Sequence, residues 1–173
     1  MSIKIKIVFL FFLITFSCNE ELTNVLSFEE FQGNCKGANC ATVTIDYCKI
    51  VGEKEVTDKI NFTVGNAIIY FLKLNFEKTI KTKTITEAAN NFLKSYEIDK
   101  KEFPETNPYI AEVSISTSYS SPSILCLKTD FYSFTGGAHG YGRTKFLNFD
   151  PLTGNLKTTS SILNNKKEFT AFV

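Results

Sequence analysis

Hydrophobic positions change their spacing twice along this chain. From Ala41 to Val51 they alternate: Val43, Ile45 and Tyr47 against Thr42, Thr44 and Asp46. That is the period of a strand buried on one face, and Gly52-Glu53-Lys54-Glu55 ends it. From Val56 to Glu77 the spacing becomes three to four, through Val56, Ile60, Val64, Ile68, Phe71 and Leu72. This predicts a helix packed on a sheet, with an interruption at Thr63-Val64-Gly65. After the polar link Thr79–Thr84, Thr84 and Glu87 stand at capping-box spacing. Ala88, Ala89, Phe92, Leu93 and Tyr96 then mark a second helix, and the charge run Asp99–Glu102 reads as its solvated end.

From Tyr109 onward the period returns to two. Over Ile110–Tyr119, Ala111, Val113 and Ile115 oppose Ser114, Ser116 and Ser118. Ser120-Ser121-Pro122 is a turn, and strands follow over Ser123–Phe134 and Arg143–Phe149. Asp150-Pro151-Leu152-Thr153-Gly154 has the residues of a tight turn, with Asp first, Pro fixing the next φ and Gly free to take a positive one. Asn155–Thr159 runs back beside its predecessor. One strand, two helices and a run of turn-linked strands predict an α+β fold: an antiparallel meander packed with two helices.

The N-terminus carries an address. Lys4 and Lys6 precede the unbroken apolar run Ile7–Ile14. Eight apolar residues are too few to span a bilayer, which takes roughly 20, and polar Cys18-Asn19-Glu20 follows at once. This is the pattern of a removed export signal over residues 1–17. Ser17-Cys18 resembles the bacterial lipobox, which makes Cys18 the lipidated first residue of the mature chain. An ordinary secretory signal with a chance cysteine is the alternative. Residues 18–39 then form a tether, in which Leu26–Phe31 has room for one helical turn, and residues 40–173 form a single α+β domain.

Four cysteines remain in the exported part: Cys35, Cys40, Cys48 and Cys126. An even count outside the cytoplasm suggests disulfides. The expected pairs are Cys35–Cys40, around Gly37, and Cys48–Cys126, tying an early strand to a later one. Free buried thiols behaving as small apolar residues are the alternative for Cys48 and Cys126.

Composition narrows the function. Nineteen basic and eighteen acidic side chains give a net charge of +1. This argues against a nucleic-acid partner, which calls for a basic excess on one face. A single histidine excludes a multi-histidine metal centre, and no CxxC pair points to zinc. Neither a cofactor nor a metal is expected.

Four of the nine glycines fall in Gly136-Gly137-Ala138-His139-Gly140-Tyr141-Gly142. No Lys-Ser/Thr and no helical pattern follow, so this is no P-loop. The cluster marks a specially shaped loop between strands. Tyr132–Gly140 together with Leu147-Asn148-Phe149-Asp150 and Thr153-Gly154 resembles the signature of RsiV/PdaC-type extracellular domains, a family of unknown function on exported bacterial proteins. Val43–Tyr47 and Ile60-Asn61 fit the region that accompanies it, so the resemblance covers about residues 40–170. It implies a bacterial cell-envelope location and an α+β fold. Within the family, one relative is the extracellular part of an anti-sigma factor that binds lysozyme, and another sits beside the catalytic domain of a peptidoglycan deacetylase. This sequence shows neither a sigma-binding region nor the Asp/His constellation of a deacetylase.

The candidate binding loop is therefore Tyr132, Gly136, Gly137, His139, Gly140 and Tyr141. Aromatics beside glycines suit sugar stacking or a protein contact, and no catalytic residue is assigned. The expectation is a domain held to a membrane by its N-terminal lipid that binds a lysozyme-like protein or peptidoglycan. The alternative is a cell-wall-modifying hydrolase that uses His139 as general base with Asp130 or Asp150. In the resembling family a helix and further strands follow the Asn-Phe-Asp hairpin. Here Val173 follows soon after, so a C-terminally incomplete domain is expected, with Asn164 or Asn165 capping a short helix.

Overall fold

The computed structural model describes residues 21–33, 40–73, 82–163 and 170. Among them six strands form one sheet in sequence order: β1 Thr23–Gln32, β2 Thr42–Val51, β3 Ile110–Ser121, β4 Ile124–Phe134, β5 Tyr141–Phe149 and β6 Leu156–Lys157. All neighbours are antiparallel except β2 and β3, which are parallel from Thr42↔Ile110 to Tyr47↔Ile115. A parallel pair needs a long crossover. Helices α1 (Lys54–Leu72) and α2 (Ile85–Glu102) lie in it, and a four-residue α3, Thr159–Ile162, follows β6. The fold is α+β, as the sequence predicts.

Helix α1 starts where Glu53 accepts hydrogen bonds from the backbone N–H groups of Glu55 and Val56, at 3.0 and 2.9 Å. Those bonds satisfy donors that the first turn leaves orphaned and hold the Glu53 carboxyl below its ordinary range. Val56, Ile60, Val64, Ile68 and Leu72 are buried along one stripe. The interruption expected at Thr63-Val64-Gly65 does not occur. Glycine within a helix costs about 1 kcal/mol relative to alanine, and burial of the stripe outweighs it. The expected last turn, to Glu77, falls among residues 74–81, outside the described residues. Helix α2 is capped by Thr84, whose hydroxyl accepts from the Glu87 N–H at 3.1 Å. Glu87 reaches back to the N–H of Lys83, not of Thr84.

The core lies between the helices and one face of the sheet. Val43, Ile45, Ala111, Val113, Ile115, Leu127 and Phe131 point into it from the strands, and Leu147 and Phe149 extend it across β5. Tyr109 packs against Phe92 and Tyr96, with ring centroids 6.0 and 5.3 Å away, and donates its hydroxyl hydrogen to Asp99. Burial and that carboxylate push the Tyr109 pKa up to about 12. Beyond Tyr47 the β2–β3 pairing stops. There the Asn61 side chain takes over, accepting from the Ile50 N–H at 2.9 Å and donating to the Ile50 carbonyl at 2.8 Å. The Asp150 turn forms as predicted. Its carboxylate accepts from the N–H groups of Leu152 and Thr153, and Gly154 takes φ +70° where a Cβ would collide with the Val56 carbonyl.

Two expectations are corrected. Residues 23–32, read as tether with a helical turn at Leu26–Phe31, form β1, paired with β2 from Thr23↔Val51 to Gln32↔Thr42. Polar side chains hide this strand: Glu29 accepts a hydrogen bond from the Tyr47 hydroxyl at 3.0 Å, while Leu26 and Phe28 face solvent. Cys48 and Cys126 are not bonded to each other; both are free thiols. They stand on β2 and β4 with β3 between them. Two strand spacings of ~4.8 Å separate such positions, well beyond the reach of a disulfide. Burial raises both thiol pKa values. Cys40 is disulfide-bonded; Cys35, its expected partner, lies outside the described residues, as do Cys18, Asn164 and Asn165.

Candidate functional site

Alternation along a strand sends neighbouring residues to opposite faces. Next to each core residue of β2, β3 and β4 therefore stands one on the helix-free face. Strand register arranges these in rows. One row runs Phe28, Asp46, Ser114, Asp130, Thr144; the next runs Glu30, Thr44, Glu112, Tyr132, Gly142. Between them lies a shallow depression of about 310 Å³, lined by Phe28, Thr44, Asp46, Glu112, Ser114, Asp130 and Tyr132. Its floor is two hydroxyls and two carboxylates from β2 and β3. Phe28 and Tyr132 stand at opposite corners, three strands apart.

The carboxylates are not equivalent. Asp130 is held by the Lys128 ammonium at 2.8 Å and the Thr144 hydroxyl at 2.6 Å. These partners, Lys128 first, lower its pKa below the usual carboxylate range. Asp46 and Glu112 are exposed and have no ion-pair or hydrogen-bond partner among the described residues. Two acceptors are thus available to a ligand beside one already occupied.

The glycine loop connects β4 to β5 at one corner of this face. Gly136 takes φ +79° and packs against Thr106 and Tyr109, which only a residue without Cβ can do. Gly140 lies under the Tyr132 ring, where any Cβ would overlap it. The loop thereby sets the position of Tyr132, at the edge of the depression. No such neighbour crowds Gly137. His139 is exposed, and its Nδ1 lies 3.2 Å from the carbonyl oxygen of adjacent Gly140. No hydrogen bond joins it to Asp130 or Asp150, whose carboxylates are taken by Lys128 and Thr144 and by the turn and Lys157. Tyr141 pairs with Ser133 while Tyr132 pairs with Gly142, so the two tyrosines occupy opposite faces of the sheet.

Of the loop residues singled out in the sequence, the structure thus joins Tyr132 and Gly140 to the depression. Phe28, Thr44, Asp46, Glu112 and Ser114 were not anticipated as site residues. Alternation on β2 and β3 already places four of them on the face away from the core; Phe28 needed β1 to be recognised as a strand. Among the described residues no three His, Cys, Asp or Glu side chains are grouped to hold a metal ion.

The family model described as Deacetylase PdaC matches residues 35–141. The chain belongs to the PdaC family. Two solved structures share the fold. One is a DUF3298 family protein from Pseudomonas aeruginosa, 18% identical with a TM-score of 0.60, the match covering 88% of this chain and 63% of that one. The other is a member of the DUF3298 family from Bacteroides fragilis, 17% identical with a TM-score of 0.63, covering 88% and 65% respectively. This chain therefore spans just under two thirds of the length of these relatives. No curated protein matches it.

Proposed function

We propose that this chain is a lipid-anchored domain of the bacterial cell envelope that binds a cell-wall glycan, without catalysis, on the helix-free face of its sheet. The observation that carries the reading is the depression itself. An aromatic ring held on Gly140 borders a floor of hydroxyls and unpaired carboxylates. Sugars present apolar C–H faces that stack on aromatic rings and hydroxyls that donate to carboxylates. An apolar wall with a few placed polar groups is the usual composition of a small-ligand site. Nothing in the depression is arranged as a nucleophile with a base, and the His139–Asp130 pairing that a hydrolase reading requires is not made. The anchor reading rests on Lys4, Lys6, the apolar run Ile7–Ile14 and Ser17-Cys18.

A second reading is supported by Asp46 and Glu112. Uncompensated carboxylates on an exposed face also suit a basic protein such as lysozyme.

Calorimetric titration of the purified chain with peptidoglycan fragments and with lysozyme separates the two. Saturable heat with the glycan fragments, abolished in Tyr132→Ala, is expected. Heat with lysozyme alone transfers the site to the second reading, and heat with neither removes both. Turnover of peptidoglycan that disappears in His139→Ala overturns the non-catalytic reading. For the anchor, Cys18→Ala is expected to move the protein from the membrane to the soluble fraction, and unchanged membrane association removes it.

A further inference from the structure

The strand register gives the sheet two ends of different character. Thr23 opens β1 opposite Val51 at the close of β2. Because β2 and β3 are parallel, the β3–β4 turn at Ser121–Ile124 lies at the same end, and Leu125↔Phe149 adds the Asp150–Gly154 turn. Gly154 packs against Val56 and Lys59 donates to the Thr153 carbonyl, so the start of α1 is there too. The glycine loop with His139 lies at the opposite end, about 30 Å away over nine or ten strand residues.

The first end is apolar at its surface. Val25, Leu26, Val51, Tyr119, Leu152 and Leu156 are all exposed there, Leu152 by 68% at the tip of its turn. Three ion pairs lie there, Lys54 with Asp58, Lys59 with Glu55 at 3.0 Å and Lys157 with Asp150 at 3.2 Å, while Glu21, Lys49 and Glu53 are exposed without a salt bridge among the described residues. The rim thus offers a partner exposed hydrocarbon beside a few charges of both signs, and the chain itself says which partner is within reach. Five peptide steps join Cys18 to Thr23, and they span at most about 18 Å whatever their conformation. An acylated Cys18 holds this end against the bilayer, and the tether is shorter than the strands.

We propose that this rim is a membrane-contact surface: Val51, Tyr119 and Leu152 seat in the interfacial layer of the bilayer that carries the anchor, with the sheet standing on its turns. The proposal rests on the Cys18 anchor. It also gives the domain a fixed attitude. The depression on the sheet face opens sideways, and the glycine loop points away from the lipid. Apolar side chains in an interface hold by area buried, not by charge, so the contact persists at high salt.

The chain contains no tryptophan, so a single introduced indole reports its own surroundings. Leu152→Trp and Tyr141→Trp, both at exposed positions, are prepared in the full lipidated protein on phosphatidylcholine/phosphatidylglycerol vesicles with brominated acyl chains. The Leu152→Trp emission is expected to shift to shorter wavelength and lose most of its intensity to the bromines, in low and high salt alike. The Tyr141→Trp emission is expected to stay at its value on unbrominated vesicles. Equal quenching of both, or none at Leu152→Trp, overturns the contact surface. Mass spectrometry of the N-terminal peptide is read in parallel. A lipidated Cys18 with an unquenched Leu152→Trp removes this proposal and leaves the anchor standing. An unmodified Cys18 removes the anchor and this proposal together, while the binding reading stands or falls by calorimetry.

Discussion

Val113 and Phe131 are buried beneath the helices; one residue along each strand, Glu112 and Tyr132 stand in solvent. The same two strands build both faces, and their alternate side chains do different jobs. On the covered face the requirement is apolar volume, which many residues satisfy and which shows itself by periodicity. On the open face the requirement is a particular group at a particular place, which periodicity does not reveal. Stability should therefore be concentrated on one face and recognition on the other.

The largest test of that division is Phe92→Ala, which empties a fully buried ring site between α2 and the sheet. A loss of about 3–5 kcal/mol is expected in denaturant unfolding. A loss below 1 kcal/mol would mean that the covered face is not the core. Asn61→Ala comes next. It strips both partners from the Ile50 backbone, and a partly buried peptide left unsatisfied costs about 1–3 kcal/mol. Asn61→Asp keeps the acceptor but turns a carboxylate oxygen toward the Ile50 carbonyl in place of a donor, and should cost at least as much as Asn61→Ala at neutral pH.

The third test uses pH. Tyr109 ionises near 12 in the fold and at about 10 in an unfolded chain. A raised folded value means that its contribution is complete below pH ~10 and is lost as pH climbs through the folded value. Unfolding midpoints measured from pH 8 to 12 should fall for the parent, and fall less for Tyr109→Phe. Parallel profiles for the two proteins would show that the Tyr109–Asp99 contact carries none of the alkaline dependence. The smallest effect is expected on the open face. Glu112→Gln should leave stability within about 0.5 kcal/mol while weakening the glycan heat. Stability that drops with it would blur the two faces into one.

How far the sequence could be read follows the same line. Both helices, the strands β2 to β5 and the Asp150 turn were legible because burial on one side imposes a period. The cap at Thr84 was legible because a hydroxyl must stand three residues before the N–H it satisfies. Strand β1 was not, since Ser27 and Glu29 fill two of its three half-buried positions, leaving only Phe31 apolar there, and its apolar Leu26 and Phe28 look outward. The parallel pairing of β2 with β3 was not either; it is decided by where a two-helix crossover returns the chain, and no local pattern records that. In the candidate site, the glycine cluster announced a specially shaped loop, which Gly136 at φ +79° and Gly140 beneath Tyr132 form. The partner of each glycine was beyond reach, as was the separation of Tyr132 from Tyr141, because both depend on register.

The parallel seam has a kinetic consequence. Hairpin β1–β2 and meander β3–β6 each pair strands that are near in sequence, whereas β2 and β3 meet only after the crossover from Val51 to Ile110 is closed. Contacts of large sequence separation form late, because the entropy of closing the loop is paid before any pairing is gained. The depression straddles that seam, with Thr44 and Asp46 on one side and Glu112 and Ser114 on the other. It does not exist in either half alone. A molecule lying across it acts as a clasp, slowing the rate at which the halves part, so amide exchange along β2 and β3 should slow on ligand addition more than exchange within the β4–β5 ladder.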